Sequence, residues 1–224
     1  ADAHWVFYGG RFHAVAGGGT VSGDGHIYGD LRLSAEMGEA LTVGGRLMMY
    51  DYWKHGRLVV TKENAGTVIL AADPCCPLCA AELNAGRTVL RTQVVQDLER
   101  NWCGKKACGD WTLRRGATLA GTGSLTFSQS ARLIVEREGV LEGGEDGRGT
   151  LTLSRVVLRP DAVLSCRGGT VAIGALEAQG PVTIRLEGAA PGTLLTWKSL
   201  EDPVPEVRAE RIPAGRSLRV EPNG

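Results

Sequence analysis

Hydrophobic and polar positions alternate along almost the whole chain, in runs of four to six residues closed by Gly, Asp, Asn or Pro. The second half shows this most plainly. Ser124-Leu125-Thr126-Phe127-Ser128 is followed by runs at Ala131 to Glu136, Gly139 to Glu142, Thr150 to Ser154, Arg155 to Arg159, Ala162 to Cys166, Thr170 to Gly174 and Pro181 to Glu187. A period of two places alternate side chains on one face, so each run predicts a short strand. Strands that recur this regularly fit a sandwich, a barrel or a β-solenoid.

The connections favour the solenoid. Many are two or three residues, such as Gly168-Gly169, too short to cross between the sheets of a sandwich. Imperfect sub-patterns also recur: Gly18-Gly19-Thr20-Val21, Gly66-Thr67-Val68, Gly149-Thr150-Leu151 and Gly168-Gly169-Thr170-Val171. In a solenoid each coil turns at a small residue and lays its next strand on the coil before, and glycine supplies positive-φ corners without a Cβ clash. The expectation is one all-β domain over residues 1–224, a parallel β-helix of roughly ten coils and on the order of 50 Å long at ~4.8 Å per strand. Asp24-Gly25-His26 and Gly29-Asp30 read as corners.

The segment 73–110 breaks the pattern and reads as a cysteine-containing loop insertion. It holds five of the six cysteines. Arg87 to Arg91 keeps a strand-like pattern, while the Val94-Val95-Leu98 spacing predicts a short helix within Gln93 to Trp102.

Trp111 to Leu153, WTLRRGATLAGTGSLTFSQSARLIVEREGVLEGGEDGRGTLTL, resembles the passenger-associated β-strand repeats of autotransporters and related secreted β-helix proteins. Those families repeat a strand, a GATLxGTG-type corner, another strand and a Gly-rich corner before GTLTL. The tail Pro191 to Leu200, followed by Pro213 to Leu218, is similar to the ending of such passengers. About half of the chain is covered. The resemblance implies a right-handed β-helix and a secreted or cell-surface setting.

Composition narrows the function classes. Twenty-five basic and 25 acidic side chains cancel, which argues against phosphate neutralisation on nucleic acid and against a polybasic membrane anchor. No apolar run approaches the ~18 residues of a membrane span. Glycine, at 32 residues, is about twice the usual ~7% and lacks the period of three that collagen needs. The start at Ala1-Asp2-Ala3-His4-Trp5 fits a mature end left by signal-peptide cleavage, and six cysteines fit an oxidising compartment.

Two groups of side chains are candidates for chemistry. Cys75, Cys76, Cys79, Cys103 and Cys108 read first as disulfide partners, with Cys103 and Cys108 well placed to pair and Cys166 apart as a buried thiol. With that reading the chain needs no cofactor. The alternative is a zinc site from Cys76, Cys79, Cys103 and Cys108, four soft ligands on two turns, making a zinc-stabilised interaction module. Second, eight of the twelve aromatics precede residue 54, and the run Tyr50-Asp51-Tyr52-Trp53-Lys54-His55 mixes rings, a carboxylate and bases. It reads as a ligand platform for sugar stacking, against a blander reading in which alternate rings fill the core. A polysaccharide-cleaving β-helix would need carboxylates and a base on one face; Asp51, Lys54 and Arg57 are the nearest set. His4, His13, His26 and His55 show no metal-ligand spacing.

The leading expectation is a non-enzymatic, secreted or surface-exposed structural or adhesive protein, with a carbohydrate-binding or carbohydrate-cleaving β-helix as the rival. Terminal strands at His4 to Tyr8 and Ser217 to Glu221 offer open edges, and Glu201 to Glu210, with Pro203 and Pro205, reads as a linker that could release the last strand. End-to-end self-association into a filament or surface layer follows, unless those elements are themselves caps.

Overall fold

The computed structural model describes residues 4–8, 10–28, 30–45, 47–50, 59–71, 80–96, 109–127, 130–145, 147–186, 193–201, 204, 206–211, 217 and 219. These form a right-handed parallel β-solenoid with no helix among the described residues. One face stacks β2 (Gly10–Ala14), β5 (Leu31–Ala35), β8 (Val59–Glu63), β10 (Ala80–Leu83), β13 (Trp111–Leu113) and β16 (Leu133–Val135). The long strands β18 (Thr150–Leu158), β20 (Thr170–Ala178) and β22 (Leu195–Leu200) continue it. The next face stacks nine strands: β3 (Gly19–Val21), β6 (Ala40–Val43), β9 (Thr67–Leu70), β11 (Arg87–Leu90), β14 (Thr118–Gly121), β17 (Val140–Gly143), β19 (Ala162–Cys166), β21 (Val182–Leu186) and β23 (Val207–Glu210). A third face holds β1 (His4–Phe7), β4 (Asp24–Tyr28) and β7 (Leu47–Tyr50) in the early coils, then β12 (Gln93–Val95), β15 (Ser124–Thr126) and the first halves of β18, β20 and β22.

Register repeats at the coil length. Thr67 pairs with Arg87, 20 residues on, and Thr118 with Val140, 22 residues on. Because each coil adds one parallel strand to each neighbour, the same residue class recurs at each inward position. Leu33, Leu83, Leu113, Val135 and Leu158 form one inward column with Lys62, and Leu119, Leu141, Leu164 and Ile184 form another across the rod. Size compensates between rungs. Trp111, fully buried, pairs with buried Ala81 on one side and Leu133 on the other.

Five details depart from the sequence reading. Thr150 to Ser154 and Arg155 to Arg159 are one strand, β18, whose halves pair with β15 and β16. Asp24-Gly25-His26 is not a corner: it opens β4 and pairs with β1, because the polar residues lie in a ladder that supplies backbone partners irrespective of side chain. The helix expected within Gln93 to Trp102 begins instead as β12, where Val94 is buried against the column of Leu125, Leu153 and Ile173. A β-branched residue suits that stacked column, and tertiary packing overrides the helical spacing. The last residues of the expected linker are β23, paired in parallel with β21. Within the segment set apart as an insertion, residues 80–96 form a coil of the rod through β10, β11 and β12, while its five cysteines lie outside the described residues.

The corner between the first two faces carries one left-handed residue in each of three successive coils: Gly116 at φ 73°, Glu138 at φ 57° and Asp161 at φ 61°. Their amides hydrogen-bond along the rod, Gly116 to the Glu138 carbonyl at 3.1 Å and Glu138 to the Asp161 carbonyl at 2.9 Å. Glycine was the expected corner residue; two acidic residues accept the strained conformation here, and their carboxylates join the ion pairs described below.

Two substitutions test the packing. Thr88 lies between Val68 and Leu119 in an inward column, and its buried Oγ1 has no hydrogen-bond partner among the described residues. Thr88→Val removes that burial cost at nearly constant volume and is expected to raise unfolding free energy by about 1 kcal/mol in urea titration. At Gly121, φ is 128° and a Cβ would lie 2.1 Å from the Leu90 carbonyl oxygen. Gly121→Ala is expected to lower stability by more than about 1 kcal/mol in the same assay.

Candidate functional site

The early coils carry an exposed tyrosine at the end of one face and charged side chains on the next. Phe7 pairs with Ile27 and Tyr28 pairs with Tyr50, so Tyr8, Tyr28 and Tyr50 follow one another at the end of the third face, one per coil. The Tyr8 and Tyr28 rings stack with centroids 5.3 Å apart and planes 21° from parallel. That separation is close to one strand spacing, so the ladder itself brings the rings into contact. Tyr8 is 78% exposed.

After the turn, the outward positions of β2 and β5 carry the charges. Arg11 pairs in register with Arg32, and both reach Glu63 at the end of β8, Arg11 at 2.6 Å and Arg32 at 3.9 Å. One carboxylate thus lies between two guanidiniums that would otherwise repel across adjacent rungs. In the next outward column His13 pairs with Ser34. The His13 Nδ1 and the Ser34 hydroxyl share a hydrogen bond of 2.8 Å, and Nε2 lies 4.0 Å from a Glu36 oxygen. A serine, a histidine and a carboxylate are in line, but the Ser34 side chain is buried beneath the ring. Its hydroxyl orients the imidazole and is not presented to a ligand.

The expected platform meets this region at one residue. Tyr50 closes β7 at the Tyr28 register position, while Asp51, Tyr52, Trp53, Lys54, His55 and Arg57 lie outside the described residues. Cys75, Cys76, Cys79, Cys103 and Cys108, the disulfide or zinc candidates, also lie outside them. Cys166 closes β19 in register with Leu186. Tyr8, Tyr28, Arg11, Arg32, Glu63 and His13 were not singled out from sequence. Their signal was the spacing: Tyr8, Tyr28 and Tyr50 are separated by about one coil each.

Two further charged groups are integral to the rod. Lys62 occupies an inward position between Leu33 and Leu83 and is almost fully buried. Its ammonium donates to the carbonyls of Asn64, Gly66 (2.8 Å) and Ala85 (2.5 Å), joining two successive corners. Three donors meet three acceptors, which is why a lysine persists in an apolar column. Gly86 is required beside it: φ is 65° and a Cβ there would lie 2.5 Å from the carbonyl oxygens of both Asn64 and Gly66. Burial lowers the Lys62 pKa from 10.5 to about 8.

On the outer face of the nine-stranded sheet, Arg87 reaches over the β14 rung to hold Glu142 with two hydrogen bonds, 2.6 and 3.1 Å, and Glu142 is buried. Ala120, also buried, lies on the rung between them. Arg91 holds Glu145 in the same manner, with Nε to Oε2 at 2.8 Å and a second bond from Nη2 to Oε1. That hydrogen bond keeps the Glu145 carboxyl below its usual pKa. Along the corner the ion pairs run from rung to rung: Arg115 to Glu138 (2.8 Å), Glu138 to Arg137 (3.6 Å), Arg137 to Asp161 (3.6 Å) and Asp161 to Arg208 (3.4 Å).

These geometries predict two measurements. Between pH 8 and 10.5 the unfolded chain keeps the Lys62 proton while the folded chain releases it, so the Lys62 contribution to stability rises with pH over that window. Below pH 8 both states are protonated and the burial cost is constant. Wild type is therefore expected to gain on Lys62→Met from pH 8 to 10.5 in parallel denaturant titrations, with a constant difference below pH 8; a constant difference throughout contradicts the assignment. Arg87→Ala strands a buried carboxylate and is expected to cost about 3 kcal/mol, whereas Arg115→Ala, on an exposed pair, is expected to cost less than about 1 kcal/mol. Adding Glu142→Gln to Arg87→Ala recovers part of the loss.

Comparison of the chain with models of protein families, with curated proteins and with solved structures returns no match.

Proposed function

We propose that this chain is a non-enzymatic structural or adhesive rod of a secreted or cell-surface protein. The observation that carries the reading is the continuous stack of nine parallel strands, whose inward columns are filled by core side chains and whose outer face and corner hold ion pairs between successive rungs. A solenoid of this kind transmits position along its axis: each coil fixes the next, and an outer surface is displayed at regular intervals. Paired charges suit such a role, because each guanidinium in these ladders ties one rung to another. The likeness of Trp111 to Leu153 to autotransporter passenger repeats supports the same setting. Self-association is part of the proposal. Among the described residues β1 to β3 and β22 to β23 are the outermost strands of their stacks, and the proposal is that a second copy extends them.

Fractionation of the source cells with an antibody against the chain tests the setting. Recovery from the surface or the medium is expected, and confinement to the cytosol overturns it. Light scattering tests the self-association: mass is expected to grow with concentration, and a monomer at every concentration removes that part of the proposal.

A further inference from the structure

We propose that copies of this chain stack head to tail, with β22 and β23 of one rod seated on β2 and β3 of the next, so that Glu201 meets Arg11 across the junction. The inference rests on the self-association put forward above and names the two surfaces that make it.

Three observations converge. The first is the shape of the two ends. One register column begins at Gly10, runs through Leu31, Ala81 and Trp111, and ends at Leu200. Another begins at Gly19 and ends at Ala209. Both columns start on an exposed residue that has no side chain. Leu200 packs against the core and is still only half-buried, since no described rung lies beyond it. Seating one rod on the next puts Leu200 over Gly10 and Ala209 over Gly19, larger on smaller, as Trp111 is beside Ala81 within the rod. The second observation is spacing. The two columns are nine residues apart at both ends, Gly10 to Gly19 and Leu200 to Ala209. Between the ends the separation ranges from seven residues, Ala81 to Thr88, to ten, Leu31 to Leu41. A slip of one residue turns every side chain to the other face, so equal separations let both ladders continue across the junction with no adjustment at the corner. Head-to-tail stacking also keeps every ladder parallel, as it is within the rod.

The third observation is charge, and it decides which ends meet. The outward column next to Leu200 opens with Arg11 and Arg32 and reaches Glu177 on β20. Glu201 follows Leu200 at the end of this column, and its amide donates to the Leu176 carbonyl at 2.9 Å. One face of the rod therefore carries two arginines at its first rungs and two glutamates at its last. Glu201 is exposed and has no ion pair among the described residues. Arg11 is about half exposed, and its partner Glu63 belongs to β8, two strands into the rod, which leaves the outer side of Arg11 for another carboxylate. Joining like ends sets Arg11 against Arg11 or Glu201 against Glu201. Joining head to tail sets a guanidinium beside a carboxylate. Such a contact uses two different surfaces, so it extends from copy to copy instead of stopping at a dimer.

The test is the mass of the purified chain against concentration, read by light scattering at one ionic strength. Wild type is expected to grow. Arg11→Glu alone and Glu201→Arg alone each set like charges across the junction, and each is expected to weaken association about tenfold. Glu201→Gln, which only removes the charge, is expected to weaken it about threefold. An equimolar mixture of Arg11→Glu and Glu201→Arg is expected to regain the growth of wild type, because each variant then meets an opposite charge at both of its ends. Both positions are exposed, so thermal unfolding of the variants is expected to match wild type, which separates loss of contact from loss of fold. Growth of wild type that none of the variants weakens, or a loss in both charge reversals that mixing does not restore, overturns the head-to-tail contact and leaves self-association by another surface. A wild type that stays monomeric at every concentration overturns both.

Discussion

The spacing of parallel strands governs everything else in this protein. Successive rungs stand about 4.8 Å apart, so whatever occupies one inward position must pack on the residue one coil earlier and one coil later. Leucine and valine satisfy that condition along both main columns, and Trp111 does so only because Ala81 is its neighbour. The backbone obeys the same limit at the corners. A Cβ at Gly66 would fall 2.2 Å from the Glu36 carbonyl oxygen, and one at Gly169 would fall 2.1 Å from that of Gly143. Glycine at these two places is therefore a consequence of how closely the coils approach, not of turn preference alone.

Electrostatics follows from the same geometry. In a parallel stack, a charge repeated at one position meets its own kind on the next rung, as Arg11 meets Arg32. The chain resolves this by placing an acid within reach of both, or by letting an arginine cross a neutral rung to an acid two coils away, as Arg87 crosses Ala120 to Glu142. Individually such exposed pairs contribute little, but the Arg87–Glu142 pair is bidentate and largely withdrawn from water, where its geometry matters more. Lys62 is a separate case. Among the described residues it has no carboxylate partner and is satisfied instead by the corner carbonyls of two coils, so one ammonium ties together backbone that the ladder alone leaves only adjacent.

The proposed roles draw on different parts of this arrangement. A rod needs only the columns and the ladders, and those continue from coil to coil. A binding surface needs a place where the repeat departs from structural economy, and the exposed Tyr8 ring, stacked on the half-buried Tyr28, is such a place. Ser34 shows why proximity of residue types is not enough to indicate chemistry. It stands beside His13 and near Glu36, yet its burial leaves it supporting the ring.

How much of this was legible in the chain depends on the range of the interaction concerned. Alternation of apolar and polar residues is local, so the strands at Ala162 to Cys166 and Val182 to Leu186 could be read from sequence, and short Gly-rich connections then selected a solenoid over a sandwich. Val94 and Val95 carry a helical spacing that is local, while the column that captures Val94 is made by residues 31 or more positions away. The same reason hid the contacts of the early coils. Tyr8 and Tyr28, or Arg11 and Glu63, are separated by one or more coils in the chain, and nothing in their immediate neighbours marks them as partners. Sequence alone determined that these residues form stacked strands, because periodicity and glycine corners act over a few residues. Which side chains meet across the rungs was decided only by the register of the closed coils, because that register sums the length of every strand and corner between them.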